Sequence, residues 1–238
     1  MRRFYHPTPL TLQQETQLDE ANSHHIGRVL RLTPEHHIVV FDGEQGEWEC
    51  RIERIERKAV TVIPLSFQPV LRTPVAQATL ALPLIKGDRM DTAIQKATEM
   101  GVHKIQLLHT RYTDVRFNAE RLAKKQHHWE QVIISAAEQC GLNKLPQLAP
   151  VVTFDTWLNE HNTTLGLMAH PGETPLRQLL PQTPCPFTLL TGPEGGFHEE
   201  EVQAAKAKGF HTVTLGERIL RAETAPVALL GAIWALWQ

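Results

Sequence analysis

The chain has 238 residues, of which 42% are apolar and 21% charged. This is the profile of a folded globular protein with one large domain or two smaller ones, and it excludes a disordered or fibrous chain. Lys plus Arg number 24 against 26 for Asp plus Glu, so no overall basic charge announces a nucleic-acid partner, and any such binding must come from a local patch.

The N-terminal stretch MRRFYHPTPLTLQQE lacks the continuous apolar segment of a secretory signal, and the longest apolar run, Ala225 to Trp237, is too short to span a bilayer. A cytoplasmic protein with no membrane partner is expected. Cys50, Cys140 and Cys185 lie far apart and in no CxxC spacing, which points to reduced, mostly buried thiols and to neither a disulfide frame nor a metal site. Ser23 to Leu32 (SHHIGRVLRL) places Ile26, Val29 and Leu30 at helical spacing, with Arg28 and Arg31 together on another face. From His37 to Leu65 the alternating runs HIVVF, EWECRIERI and AVTVIPL are separated by Asp42-Gly43, Gln45-Gly46 and the charged stretch Glu56 to Lys58, as in a small antiparallel sheet or barrel. Pro69 and Pro74 bracket a linker, so two domains are expected, 1–72 and 73–238.

After Pro74 strands and helices alternate. VAQATLALPLI reads as a buried strand, Asp88 to Met100 as a helix stopped by Gly101, and KIQLLHT as a strand. Asn118 caps a long helix through Cys140 whose apolar face is Leu122, Val132, Ile133, Ala136 and Cys140, ended by Gly141. TLGLMAH, PFTLLTG and HTVTLG are three more strands, with a helix from about His198 to Lys208 and a terminal helix from about Ala225. The fold class is therefore α/β, a mostly parallel sheet covered by helices, in which ligands sit beyond the carboxyl ends of the strands.

Three strand-end loops stand out: His170-Pro171-Gly172, Gly192 to Phe197 (GPEGGF) and Gly216 to Thr224 (GERILRAET). Glycines let the backbone approach a ligand closely. A phosphate cradle is disfavoured: neither GxGxxG nor GxxxxGK[ST] is present, and Glu194, Glu199, Glu200 and Glu201 already occupy the positions an anion would take at a helix start. A neutral or cationic ligand held by main-chain groups suits the loop better, the alternative being a plain strand-to-helix turn. Ile219 and Leu220, flanked by Arg218 and Arg221, either plug a core or wall an adenine-sized pocket, and Thr224 is placed to cap the last helix. That helix, APVALLGAIWALW, is apolar nearly all round and must be buried on every side, in the domain or against a partner subunit. Trp234 and Trp237 read as core or interface packing, and the His-His pairs at 24-25, 36-37 and 127-128 as surface residues without metal spacing.

LIKGDRMDTAIQKATEMGV, EQCG, LLTGPEGGF and LGERILRAETA, in that order behind HHIGRVLRL, closely resemble the bacterial small-subunit ribosomal RNA uridine N3-methyltransferases of the SPOUT superfamily, from about Arg3 to the C-terminus. The resemblance implies an N-terminal PUA-like barrel that helps grip RNA, a C-terminal trefoil-knot domain, S-adenosyl-L-methionine as cofactor, a homodimer joined near the knot and last helix, and N3 of a specific uridine of 16S rRNA, within the small ribosomal subunit, as target. Carried over by position, it assigns the cofactor pocket to Met168, His170, Gly192, Glu194, Gly196, Leu215, Gly216, Ile219, Leu220, Thr224 and Ala225. Departures from the family pattern are Thr110-Arg111 where Glu-Arg is common, and Leu142 where a basic residue is common.

Methyl transfer to uridine N3 needs the N3 proton removed and the methyl group aligned in line, with no metal. Arg221 is the candidate for stabilising the uracil oxygens, its alternative being a salt bridge to Glu223 or Glu217; Glu194 or Glu223 is the candidate base, the alternative being a backbone cap. For RNA, the candidates are Arg2, Arg3, His6, His24, His25, Arg28 and Arg31 at the N-terminus and Arg111 in the second domain. A methyltransferase of another RNA site and a silent RNA-binding module are the alternative functions.

Overall fold

The structure is a computed structural model, and it describes residues 1–171 and 174–237. The chain divides into two compact units, Met1–Thr73 with Ala137–Leu145, and Pro74–Ala136 with Pro146–Gln238.

The first unit is built on a five-stranded sheet of order β1-β3-β4-β5-β2, with β1 Arg2–Tyr5, β2 Thr16–Gln17, β3 His37–Phe41, β4 Glu47–Ile55 and β5 Val60–Gln68. The meander β3–β4–β5 is antiparallel, as its alternating pattern predicts, while β1 joins β3 in parallel and β2 joins β5 antiparallel. Inward residues such as Phe4, Ile38, Val40, Trp48, Ile52 and Val62 form its core.

The expected helix over Ser23 to Leu32 is shorter and of mixed type. Asp19 caps α1, Glu20–His24, by accepting from the Asn22 amide at 2.9 Å, and the chain then widens into a π-helical turn, His25–Val29. Ile26 stays fully buried, but the wider turn leaves Val29 61% exposed. Arg31 follows with φ +52, outside the helix, so Arg28 and Arg31 do not share a helical face.

The second unit carries β6 Ala78–Pro83, α2 Asp88–Glu99, β7 Lys104–His109, α3 Ala119–Cys140, β8 Gln147–Thr153, α4 Phe154–Glu160, β9 Leu165–Ala169, α5 Leu176–Leu179, β10 Phe187–Leu190, α6 Glu199–Ala207, β11 Phe210–Val213 and α7 Thr224–Leu236; the residues of α3 from Ala137 onward group with the first unit. The six strands run in the order β11-β9-β10-β6-β7-β8, and every neighbouring pair is parallel. Strand order reverses between β6 and β10, the kind of switch point where open α/β sheets bind ligands. Ala81, Leu108, Met168 and Leu190 from the strands pack with Phe154, Trp157, Phe197 and Phe210 in one core cluster.

Pro226, Leu229, Leu230 and Ile233 bury one side of α7. Trp234 and Trp237 belong to this packing: their indole N–H groups donate to the carbonyls of Met100 and Pro181 at 2.8 and 2.9 Å, and both rings stand edge-on to Phe187. The opposite side is not covered by any of the described residues. Leu236 is 50% exposed, and no atom lies within 4 Å of a Cβ built on Gly231. Of the three thiols only Cys50 is buried; Cys140, expected on the apolar face of α3 with Ile133 and Ala136, is the last residue of the helix and is exposed.

Candidate functional site

Parallel pairing in register sets the ends of β11, β9, β10 and β6 side by side: Val213 faces Ala169, and Leu190 faces both Met168 and Ala81. The loops that follow these four strands therefore emerge together along one edge of the sheet. After β9, the His170 amide donates to the Val213 carbonyl at 3.1 Å, which ties this loop to the next strand. Burial holds the His170 imidazole below its ordinary pKa, with Glu199 opposing and Lys206 reinforcing the shift. Gly172 lies outside the described residues.

After β10, the Gly196 amide donates to the Pro193 carbonyl at 2.9 Å, closing the GPEGG turn. Gly196 has φ +71 and no atom within 4 Å of where a Cβ would stand, so the turn both requires glycine and opens onto free space. A Cβ on Gly192 would instead meet the Phe197 ring at 3.2 Å, and one on Gly195 would lie 3.0 Å from the Tyr112 Cβ. After β11 the strand stops at Val213, earlier than the expected Leu215, and the Thr214 hydroxyl donates to the Gly216 carbonyl at 2.8 Å. Gly216, at φ +84, again has open space beside it. Leu215 and Leu220 are half-buried, whereas Ile219 is 98% exposed and so plugs no core.

The acids of the site have separate tasks. Glu194 accepts, through one carboxylate oxygen, from the Lys86 amide at 3.1 Å and the Arg89 guanidinium at 3.0 Å, joining the β10 loop to the β6 loop across the switch point. Lys86 in turn reaches Asp114, in the loop after β7, at 2.7 Å. Glu201 accepts from the amides of Arg111 and His198, at 2.8 and 2.9 Å, completing a capping box with His198 at the start of α6. Glu223 stands at the N-cap of α7, the place expected of Thr224, and makes no side-chain cap; Thr224 and Ala225 instead donate their amides to the Arg221 carbonyl at 2.9 and 3.0 Å. One Glu223 oxygen is buried with no hydrogen-bond partner among the described residues. Arg221 is exposed, and among the described residues it forms no ion pair with Glu217 or Glu223.

The remaining predicted residues separate into those brought to this edge and those held elsewhere. Met168 is fully buried in the sheet core, so only its backbone reaches the edge. Arg111 is engaged, its guanidinium lying 2.6 Å from Glu200 and donating to His198 at 3.0 Å. In the first unit Arg2, His24, His25, Arg28 and Arg31 are exposed, whereas His6 is buried. Arg3 is bonded to Glu47 at 2.7 Å, which also takes Arg72 and the Asn143 amide. Burial alone would push the Glu47 carboxyl up; the hydrogen bonds and charges of Arg72 and Arg3 outweigh it and bring the pKa down to about 2. Of the residues expected to meet RNA, His6 is thus buried and Arg3 half-buried and bonded to Glu47.

Sequence reasoning missed Lys86, Arg89 and Asp114. Arg89 did leave a signal: a cation in the first turn of a helix opposes the helix dipole, so its partner lies outside the helix. Among the described residues no group of three or more His, Cys, Asp or Glu side chains is placed to hold a metal, and no helix is long and apolar enough to cross a membrane.

A parallel sheet with glycine loops along one edge and a covering of helices, preceded in the chain by a PUA-like unit, defines the class, the SPOUT methyltransferase fold. Residues 71–234 match the family model described as RNA methyltransferase domain, and residues 18–65 that described as RNA methyltransferase PUA domain. The chain belongs to the ribosomal RNA small subunit methyltransferase E family. The member from Synechocystis is 34% identical over 95% of this chain and 75% of its own. A structure of the Neisseria gonorrhoeae member bound to S-adenosyl methionine superposes with a TM-score of 0.93 at 33% identity, covering 100% of this chain and 98% of the other. A Legionella pneumophila methyltransferase with bound cofactor SAM gives a TM-score of 0.94 at 36% identity, covering 98% and 96%.

Proposed function

We propose that the protein transfers a methyl group from S-adenosyl-L-methionine to N3 of one uridine in the 16S rRNA of the small ribosomal subunit, in the cytoplasm, as a homodimer whose second domain is threaded as a trefoil knot. The observation that carries the reading is the pair of open, left-handed glycines, Gly196 on the loop beside the switch point and Gly216 on the loop after β11, with the β9 loop between them. Backbone groups are accessible there and no side chain fills the space. Acids at the start of α6 disfavour an anion and suit a cationic sulfonium.

The cofactor supplies an electrophilic methyl group. The protein's part is to bind and orient: Gly192, Gly196, Leu215 and Gly216 offer main-chain groups, and Leu220 and Ile219 an apolar wall, with His170, Thr224 and Ala225 at the margins. Arg221, with no carboxylate partner among the described residues, is left to bind the uracil oxygens as they gain charge when N3 loses its proton. Glu223 suits the role of proton acceptor better than Glu194, because its buried oxygen is unoccupied while the Glu194 oxygen already takes two donors. Arg2, Arg28 and Arg31, exposed and without a carboxylate partner among the described residues, present cations for RNA from the first unit.

Mass-spectrometric mapping of 16S rRNA from a strain lacking the protein tests the reaction: one uridine is expected without its N3 methyl group, restored by purified protein and cofactor. An unchanged methylation map would sink it. Arg221→Ala and Glu223→Gln should keep the calorimetric cofactor affinity and lose turnover by about a hundredfold.

A further inference from the structure

We propose that the turn after β7 and the first turns of α3 form a docking strip for a single-stranded or looped segment of the RNA substrate, running outward from the cofactor loops; this rests on the reaction proposed above. From Thr110 to His128 the chain carries five Lys or Arg and two Asp or Glu, against a formal net charge of −2 for the whole chain. Both acids are engaged, Asp114 by Lys86 at 2.7 Å and Glu120 by Lys124 at 2.7 Å. Arg116, Arg121 and Lys125 are left with no carboxylate partner among the described residues. Arg121 and Lys125 are four residues apart on α3 and so lie on one face of the helix.

Aromatic rings alternate with these cations and are fixed from beneath. Tyr112 is 45% exposed, yet the turn beneath it is locked: the Thr110 amide donates to the Thr113 hydroxyl at 3.0 Å, the two hydroxyls are 2.9 Å apart, and Glu201 holds the Arg111 amide. The Tyr112 Cβ lies over Gly195, and its ring meets His198 edge-on, so the strip begins on the GPEGG loop itself. Phe117 leans edge-on against the buried Trp129, and the Arg121 guanidinium lies over it at 5.4 Å. Cations matched to phosphates beside an exposed ring, Tyr112, that can stack on an unpaired base, with Phe117 holding the Arg121 guanidinium in place, are what a single strand of RNA requires; a regular A-form duplex hides its base faces. An acidic protein would use the charges and leave the rings without a role.

The test compares the full-length protein with the triple variant Arg116→Ala, Arg121→Ala, Lys125→Ala, and with a control, Arg57→Ala, Lys58→Ala, Arg177→Ala, that removes the same charge from other exposed positions. Affinity for 16S rRNA from the deletion strain is measured across salt concentrations, alongside the KM for that RNA and the calorimetric affinity for the cofactor. In the strip variant the slope of log affinity against log salt should fall by about 2, as three lost phosphate contacts on a single strand require. Its RNA KM should rise about tenfold or more, while cofactor affinity stays at the wild-type value and shows the fold intact. An unchanged slope and KM, or an equal loss in the control, overturns the strip. A wild type that binds RNA with the expected slope and transfers no methyl group overturns the reaction and leaves the strip standing.

Discussion

Glu194 has the residue type that a proton-abstraction site invites, but its bonds describe another task. Two donors converge on one of its oxygens, and both come from the far side of the switch point. Removing Arg89 should let the GPEGG loop relax while leaving Arg221 and Glu223 in place. The pair is partly exposed, so the effect is modest: for Arg89→Ala we expect about a fivefold rise in the cofactor KM and kcat within about twofold of wild type, with Arg89→Lys restoring part of the affinity. A collapse of kcat at unchanged KM would assign Glu194 to the chemistry after all. Glu47 gives a second prediction. Its folded pKa of about 2 lies below the ordinary 4.5, so its contribution to stability is complete above about pH 4.5 and drains away as the pH falls towards 2. The amount at stake is about 3 kcal/mol. Stability of the wild type, followed by circular dichroism, should fall more steeply below about pH 4.5, and Glu47→Gln should reduce that slope and lower stability at neutral pH.

The elements show where local signals suffice. The strands β6, β7, β9 and β10 announce themselves as apolar runs because both of their faces are covered, α3 uses its start and stop residues Asn118 and Gly141, and α2 its stop, Gly101. The short strand β1 escapes notice because it opens with two arginines and owes its conformation to parallel pairing with β3. The π-helical turn is equally hidden: nothing in HHIGRVLRL marks where the hydrogen-bond ladder widens. Close approach of β9 and β11 yields a prediction at this scale. A Cβ on Gly166 would sit 2.9 Å from the Phe210 ring, itself wedged among Trp157 and His161. Gly166→Ala should therefore cost about 1 to 3 kcal/mol of stability in denaturant titration, the usual penalty of overpacking; a neutral effect would mean that the ring moves aside freely.

For the molecule as a whole, the uncovered side of α7 bears on the proposed dimer. Gly231→Arg replaces a poor helix former by a good one, so a single chain should lose no stability, while the dimer contact acquires a buried charge. Sedimentation should show monomers at concentrations where the wild type is dimeric, with thermal stability of the monomer retained; an undisturbed dimer would place the contact elsewhere. The loops of the site could be found from the sequence because their glycines are concentrated there, but the ties among them could not: Lys86 and Glu194 are 108 residues apart, and only folding brings them together. That separation also shapes how the protein is made. The sheet grows from β6 through β7 and β8 on one side, so the other edge of β6 has no neighbour until β10, beginning at Phe187, arrives. During synthesis a nascent chain thus carries an apolar strand with bare amides and carbonyls while most of the polypeptide is already out, the state most open to wrong pairing and most in need of a chaperone.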